Sequence, residues 1–204
     1  MTEEEARAWV AMRMSVPRGT LMEQYVHCVL AGQASQNLIS PSTLETIWAR
    51  HIVDSAQLLG LATDVPGLWI DVGSGAGFPG MVIAIMSDRP VTLIEPRKRR
   101  AEFLRTTAEA LGLSKQVTVL ALRSQATDLA GSVISARAVA PLDALFDSCV
   151  HMARRSTVWV LPKGRHAAEE VAKADESWQG AFHVEPSITD PQSMIVVARN
   201  VRRR

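Results

Sequence analysis

The segment of the chain with the clearest chemical potential is a glycine-rich run between an apolar stretch and a helical one. Its residues are Asp71-Val72-Gly73-Ser74-Gly75-Ala76-Gly77-Phe78-Pro79-Gly80. Glycines in such a turn let a ligand approach the backbone amides closely, at the positive end of the helix dipole. Glu95 ends the next predicted strand, and a carboxylate there can accept hydrogen bonds from both ribose hydroxyls of an adenosine.

Two ligands compete for this loop. Gly75, Gly77 and Gly80 satisfy the spacing of the dinucleotide fingerprint, but a single match of that kind is weak evidence. The Asp71 carboxylate would repel a pyrophosphate, whereas S-adenosylmethionine carries an ammonium and a sulfonium and no phosphate. Pro79 also removes an amide that a phosphate would use. The loop therefore favours S-adenosylmethionine, with its methionine carboxylate on the glycine amides, over a dinucleotide or a turn that binds nothing.

The segment after the fourth predicted strand, 135–141, limits the chemistry of the methyl acceptor. It holds neither the Asn/Asp-Pro-Pro-aromatic loop usual for methylation of amino groups nor the cysteine needed for carbon-5 methylation of pyrimidines. Cys149 lies inside a predicted helix and is interpreted as a core residue. A site without an evident base suits an acceptor that is already nucleophilic, such as guanine N7. Catalysis would then consist of positioning and electrostatics.

The elements around these residues fall into two groups. Helices are predicted over 2–13, 20–34 and 41–59, the third with a Ser42–Glu45 capping box. Pro66-Gly67 is a turn, so we predict an N-terminal helical cap over 1–66 and a ligand-binding domain over 67–204.

Beyond the turn, strands alternate with helices, which implies a parallel sheet covered on both faces. Strands 182–186 and 194–199 have no helix between them, which implies an antiparallel hairpin at one edge. The predicted fold is α/β: a Rossmann-like class I methyltransferase with a mostly parallel seven-stranded sheet, an antiparallel edge hairpin and the helical cap.

Charge and cysteine content narrow the class of protein. The formal net charge is only +1, but residues 67–204 carry 18 basic and 14 acidic side chains, against 4 and 7 in residues 1–66. Basic runs at 97–100 and 202–204 are a weak indication of an RNA partner. Two cysteines at unrelated positions predict no metal site. An acidic N-terminus and the lack of a long apolar helix predict a cytoplasmic protein that does not enter a membrane.

Several motifs resemble those of the RsmG (GidB) family, in order and spacing, over residues 20–165. They are Asn37-Leu38-Ile39-Ser40, the run 51–55, the run 71–80, Glu95 with the basic run and Phe103-Leu104, the run 135–138, and Lys163-Gly164. The resemblance implies methyl transfer from S-adenosylmethionine to N7 of guanine 527 in 16S rRNA. It makes the rRNA, naked or within a partly assembled small ribosomal subunit, the expected partner of a monomeric enzyme. A methyltransferase for a small molecule or a protein is the main alternative.

The resemblance also implies a set of site residues. Cofactor contacts are expected at Gly73, Phe78, Glu95, the backbone of Ser124 and Gln125, and Arg137, beside the loop residues Asp71, Ser74 and Gly75. Arg137 and Lys163 end the fourth and fifth strands, where doubly wound sheets bind ligands. We expect both, with Asn37, to serve catalysis.

Two further features bear on the structure of the site. The polar residues His51, Asp54 and Ser55 share a helix face, either docking the cap or shaping the site. The chain also departs from the family at 32–33, where Gly-Gln replaces a frequent Trp-Asn, and at Gln125, where many members have Glu.

Overall fold

A computed structural model describes all 204 residues. The chain begins with helices α1 (Glu3–Ala11) and α2 (Val16–Gln33) and a 3-10 turn (Pro41–Thr43). A continuous but irregular helix follows, made of a π segment (Trp48–Val53), α3 (Asp54–Ala56) and a 3-10 segment (Gln57–Ala62). We call residues 48–62 the irregular helix.

The irregular helix replaces the single α-helix predicted over 41–59, and the predicted capping box does not form. The Ser42 hydroxyl pairs with that of Ser40 at 2.9 Å instead of capping a helix. The N-terminus of the irregular helix is capped instead by Glu3 of α1, whose carboxylate accepts hydrogen bonds from the amides of Trp48 (2.8 Å) and Ala49 (3.1 Å). A capping group more than forty residues away leaves no local spacing signal, which explains why the sequence pattern misplaced it.

The sheet has seven strands: β1 (Trp69–Val72), β2 (Val91–Ile94), β3 (Val117–Leu120), β4 (Gly131–Ala136), β5 (Ala153–Lys163), β6 (Trp178–Pro186) and β7 (Met194–Arg203). Their order is β3-β2-β1-β4-β5-β7-β6. Strands β1 to β5 are parallel, and β7 is antiparallel to both β5 and β6. This confirms the predicted fold. The strand order reverses between β1 and β4, where α/β sheets bind ligands beyond the carboxyl ends.

Four more helices cover the two faces: α4 (Gly80–Met86), α5 (Lys98–Ala110), α6 (Leu142–Cys149) and α7 (Ala167–Ser177). One hydrophobic cluster of 35 buried residues joins α1, α2 and the irregular helix to α4, α5 and one sheet face, and includes Trp69. A second cluster of 17 residues lies under α6 and α7 and includes Cys149. The first cluster crosses the predicted boundary at 66–67 without interruption. None of the helices has the length and apolar composition needed to cross a bilayer.

Candidate active site

The glycine-rich loop leaves β1 and enters α4 in a conformation that only glycine adopts cheaply. Gly73, Gly75 and Gly77 have φ values of 67°, 58° and 106°, in the left-handed region that disfavours other side chains. A Cβ on Gly77 would lie 2.7 Å from the Tyr25 hydroxyl. That hydroxyl donates to the carbonyl of Ala76 at 2.9 Å. The cap therefore supports the loop from beneath through α2.

Asp71 lies under the loop and is fully buried. One carboxylate oxygen accepts from the Ser135 hydroxyl at 2.8 Å, and the other accepts from the amide of Gly80 at 3.2 Å. Burial raises the pKa of Asp71 to about 6, although these hydrogen bonds oppose the shift. The carboxylate thus ties β1 to β4 and caps α4. It can act on a ligand through its charge but presents no exposed oxygen.

The loop amides available to a ligand differ from those expected. The amides of residues 73–75 bond within the protein, the first two to the carbonyl of Ile94 at 2.8 and 3.1 Å and the third to Glu95 at 2.9 Å. The amides of Ala76 and Phe78 have no acceptor in the protein. Since buried backbone donors are nearly always paired, these two amides are the better place for a carboxylate.

Glu95 is buried at the end of β2 and faces the loop. Its carboxylate accepts from the amides of Gly75 and Arg97, each at 2.9 Å. A carboxylate has about four acceptor positions, so capacity remains for ribose hydroxyls. The space beside Gly75 is open, because the atom nearest to an added Cβ would be 3.8 Å away. Position and acceptor capacity both fit the predicted ribose contact.

The turn at Ser124–Ala126 follows β3, which neighbours β2 in the sheet, so it lies at the same edge of the sheet as Glu95. The amides of Ser124 and Gln125 have no acceptor in the protein. The His151 ring nitrogen Nε2, 3.1 Å from the carbonyls of both Ser124 and Thr127, holds the turn. Two free amides suit the ring nitrogens of an adenine. These donors, the Glu95 carboxylate and the two loop amides form a set that fits S-adenosylmethionine.

Arg137 ends β4, but its guanidinium turns onto the cap. Nη2 lies 2.8 Å from His51 Nδ1, and Nη1 donates to the carbonyl of Arg50 at 3.1 Å. Nη1 also lies 3.5 Å from the Asp54 carboxylate, and the group sits 5.2 Å above the Phe78 ring. Arg137 therefore joins the sheet, the cap and the loop residue Phe78. Its predicted direct contact with cofactor or base stays a prediction.

His51 is held neutral by these neighbours. An arginine can only donate, so His51 Nδ1 accepts and Nε2 carries the proton, which it donates to the Thr43 hydroxyl at 2.8 Å. The ring stacks on Phe78 with 4.9 Å between centroids. Burial, then Arg137 and Arg50, lower the pKa of His51 to about 3. His51 is thus no proton acceptor at neutral pH.

Asp54 completes the docking of the cap. Besides its pairing with Arg137, its carboxylate accepts from Gln57 at 3.1 Å and from the Thr189 hydroxyl at 3.0 Å. Arg50 of the same helix pairs with Asp190 at 2.8 Å. Residues 187–190 connect β6 to β7. The irregular helix is therefore bound both to the end of β4, through Arg137, and to the β6–β7 connection. The polar face of this helix docks the cap.

The other two predicted catalytic residues, Lys163 and Asn37, are held by different parts of the protein. Lys163 Nζ donates to the carbonyl of Ala140 at 2.7 Å and pairs with Glu170 at 2.8 Å. It thereby fixes the loop 137–141. Asn37 is exposed on the side of the glycine loop, and its carbonyl accepts from Arg100 at 2.7 Å. Its side chain makes no hydrogen bond within the protein.

An open cleft of about 610 Å³ lies at the carboxyl ends of β4 and β5. Arg50, His51, Arg137 and Lys163 line it together with the loop 138–141 and the start of β7. Its size suits a nucleobase with its flanking backbone. Sequence reasoning missed Ser193 and Met194 in this lining, because β7 reaches the site only through its antiparallel insertion beside β5. It also missed Thr43, which pairs with the His51 ring at 2.8 Å.

The basic run at 97–100 serves partly to hold the loop before the 3-10 turn. Arg99 and Arg100 donate to the carbonyls of Ser35 and Asn37, while Arg97 and Lys98 are exposed and their side chains make no bond within the protein. The run therefore leaves two free cations beside the cofactor side of the site.

The departure at 32–33 is accommodated locally. The Gln33 side-chain oxygen accepts from the amides of Leu38 (3.0 Å) and Ile39 (3.1 Å), and its nitrogen donates back to the carbonyl of Ile39 (2.9 Å). A Cβ on Gly32 would lie 2.7 Å from Leu38 and 3.0 Å from Phe103. Gln33 thus organises the loop that carries Asn37, and Gly32 leaves room for packing against α5.

Solved structures of other proteins share this fold. The fold is shared with a MtNAS mutant in complex with S-adenosylmethionine, at a TM-score of 0.63 and 17% identity over 88% of this chain and 71% of that one. It is also shared with the O-methyltransferase from Bacillus cereus in complex with SAH, at a TM-score of 0.57 and 16% identity over 86% and 90%.

Similarity in sequence is much higher to a single family. The ribosomal RNA small subunit methyltransferase G of Rhizorhabdus wittichii is 50% identical over 100% of this chain and 95% of the relative. That of Zymomonas mobilis is 43% identical over 98% and 95%. Residues 18–193 match the family described as rRNA small subunit methyltransferase G. The chain, which carries the glycine-rich loop, Glu95 and the basic cleft at the carboxyl ends of its parallel strands, belongs to this methyltransferase family.

Proposed function

We propose that the chain transfers a methyl group from S-adenosylmethionine to N7 of guanine 527 of 16S rRNA. Membership in the family supports small-subunit rRNA as the substrate class. The observation that carries the choice of atom is the lack of a free base in the cleft. His51 Nδ1 is occupied by Arg137, and the carboxylates of Asp54 and Glu170 are paired with Arg137 and Lys163. Guanine N7 needs no deprotonation before it attacks a methyl group.

The chain's own residues would act by binding and orientation. Glu95 would hold the ribose, the amides of Ser124 and Gln125 the adenine, and the amides of Ala76 and Phe78 the methionine carboxylate. When bound, the cofactor supplies an electrophilic methyl on a sulfonium. The cleft, held open between cap and sheet by Arg137, would place a base beside it, which replaces a bimolecular encounter by a positioned one.

Direct methylation tests this proposal. Recombinant chain, S-adenosylmethionine and small-subunit rRNA that lacks the modification would be incubated, and the RNA digested and analysed by mass spectrometry. We expect 7-methylguanine at position 527, and a comparison of naked rRNA with a partly assembled subunit identifies the preferred substrate. Methyl groups on an exocyclic amine or a ribose hydroxyl, or none on RNA, would reject the assignment in favour of another acceptor.

The first mutational prediction concerns Glu95. Glu95→Ala removes two charge-assisted bonds to ribose hydroxyls, each worth about 1.5–3 kcal/mol, and also releases the amides of Gly75 and Arg97. We expect S-adenosylhomocysteine to bind at least ~10-fold more weakly, by calorimetry, in a protein that remains folded. Glu102→Ala is the matched control, since its carboxylate pairs only with exposed Arg105. Equal affinities in both variants would show that the ribose is held elsewhere.

The second prediction concerns pH and Asp71. Its pKa is raised in the folded protein from 3.8 to about 6, so the carboxylate becomes charged as the pH rises through about 6. The folding stability that this group contributes therefore declines as the pH rises from about 4 to about 6. A cationic ligand above the loop favours the charged form. Cofactor affinity should therefore rise with pH up to about 6 and then level off.

The control for this profile is Asp71→Asn, which should bind more weakly and lose the dependence on pH. His51→Gln should leave the profile unchanged, because the pKa of His51 is about 3. At saturating cofactor, the rate of methyl transfer should be flat between pH 6.5 and 8. A titration near pH 6.5 that vanishes in the His51 variant would indicate general-base catalysis and an acceptor other than N7.

A further inference from the structure

A second cleft, of about 640 Å³, lies at the opposite end of the sheet from the glycine loop and Lys163. The start of β5, the end of β7 and the first residues of β6 form it. Its lining contains three arginines, Arg154, Arg155 and Arg202, and no carboxylate. None of the functional residues described above contributes to it, so it is a separate feature of the molecule.

A large bulge in β5 presents two of these arginines. Gly131 pairs with Ala153 and Val133 with Val158, so two steps along β4 correspond to five along β5. The Thr157 hydroxyl anchors the extra residues, since it accepts from the amide of Arg154 at 2.7 Å and donates to the carbonyl of Gly131 at 2.6 Å. Bulges of this kind redirect side chains away from the sheet. Here the redirected segment is 154–156, with two adjacent arginines.

A second bulge forms the facing wall. Between the pairs Gln179–Arg202 and Ala181–Arg199, β7 has one residue more than β6. Asn200 takes a φ of 54° there, a conformation that asparagine tolerates better than most residues. Pairing of β5 with β7 ends at Arg199. The cleft is therefore the gap between two strands that separate at their bulges.

The charge of this cleft is not neutralised within the protein. Arg154 and Arg155 are exposed, and neither guanidinium has an acceptor in the protein. Arg202 donates from Nε to Gln179 at 2.9 Å and keeps its terminal nitrogens free. The adjacent Arg203 and Arg204, in contrast, pair with Asp147 and Asp175. Of the C-terminal basic run predicted to contact RNA, only Arg202 thus remains available.

We propose that this bulge cleft, lined by Arg154, Arg155 and Arg202, binds the phosphate backbone of the RNA substrate at a distance from the site of methyl transfer. The inference rests on the proposed function, which makes RNA the substrate. Unpaired guanidinium groups bind phosphate oxygens in bidentate geometry. From Val158 to Lys163, β5 extends over roughly 17 Å at about 3.3 Å per residue. One nucleotide cannot reach both clefts, so the ligand is an extended or folded RNA.

The distance also separates the effects of the two clefts. The separation is about twice the Debye length of roughly 8 Å at physiological salt. Charge reversal at the bulge should therefore leave cofactor affinity unchanged, and this affinity serves as the check that the variant is folded.

The test compares a double variant, Arg154→Glu and Arg155→Glu in one chain, with a control double variant, Lys115→Glu and Lys173→Glu. The control residues are exposed and have no ion pair. Affinity for deproteinised small-subunit rRNA is measured across a salt series. Each lost phosphate contact lowers the salt slope by about 0.7–0.9, so the bulge variant should lose roughly 1.5 units of slope and ~10-fold or more in affinity. The double variant Arg154→Ala with Arg155→Ala should also lower the salt slope, with a smaller loss of affinity.

The wild-type chain must also be assayed for methylation of the same rRNA, so that the two failures can be told apart. If it methylates rRNA and the bulge variant keeps the salt slope and affinity of the control pair, RNA binding at the bulge cleft is refuted and the proposed function stands. If the wild-type chain methylates neither this rRNA nor the rRNA of a partly assembled small subunit, the proposed function is refuted, and RNA binding at the bulge cleft with it. Methylation together with a selective loss of slope in the bulge variant supports both.

Discussion

Gly73→Val is expected to abolish measurable binding of S-adenosylhomocysteine, with a loss of about 100-fold or more. Gly73 has a φ of 67°, and a β-branched side chain at such a φ is strained by about 1–3 kcal/mol. Its Cβ would also lie 2.6 Å from a methyl group of Val139. The exposed Val139 side chain can move aside, but the strain of a valine at this positive φ is relieved only if the loop backbone moves. That movement would also displace the amides of Ala76 and Phe78.

Calorimetry with S-adenosylhomocysteine measures the effect, and thermal unfolding shows whether the variant is still folded. Gly19→Val is the matched control, because Gly19 lies in α2 with nothing within 4 Å of an added Cβ. The control should bind as the unmodified chain does. If Gly73→Val bound within threefold of it, the loop would not be the cofactor site.

Arg137→Ala is expected to destabilise the protein by about 2–4 kcal/mol and to stop methyl transfer. The substitution leaves His51 Nδ1 without its donor and the Asp54 carboxylate with neutral donors only. Both side chains of the Arg137–Asp54 pair are largely shielded from solvent, and breaking such a pair from one side is costly because the other charge stays behind. Arg137→Lys should not restore stability, since an ammonium cannot reproduce the forked geometry that reaches His51 and the carbonyl of Arg50.

Urea denaturation measures this loss as a lower midpoint at unchanged slope. Arg50→Ala is the control, because its pair with Asp190 is exposed and should contribute less than about 1 kcal/mol. The methylation rate of Arg137→Ala should fall alike at all pH values from 6.5 to 8. A stability equal to that of the control would show that the cap is docked by other contacts. A selective fall in cofactor affinity, with stability unchanged, would instead place the guanidinium on the cofactor.

Local pattern alone was sufficient for much of this protein. The strand-loop-helix run 71–80 and Glu95 depend on residue type and short spacing, and both occupy the predicted places. The alternation of strands and helices and the final hairpin predicted the sheet, because hydrophobic periodicity follows directly from backbone geometry. The amino-terminal part of β5 lacks this periodicity, because a bulge with polar residues interrupts the strand there.

Only the tertiary structure decided how the polar residues act. The sequence places Arg137 and Lys163 at strand ends, but their partners His51, Asp54 and Glu170 come from segments between 7 and 86 positions away. The pKa values of Asp71 and His51 shift through burial, which a linear pattern does not contain. Likewise, the cap of the irregular helix by Glu3 and the unpaired arginines of the bulge cleft depend on which distant groups meet in space. Short-range spacing encodes elements and loops, whereas hydrogen-bond partners and charge states arise when those elements pack.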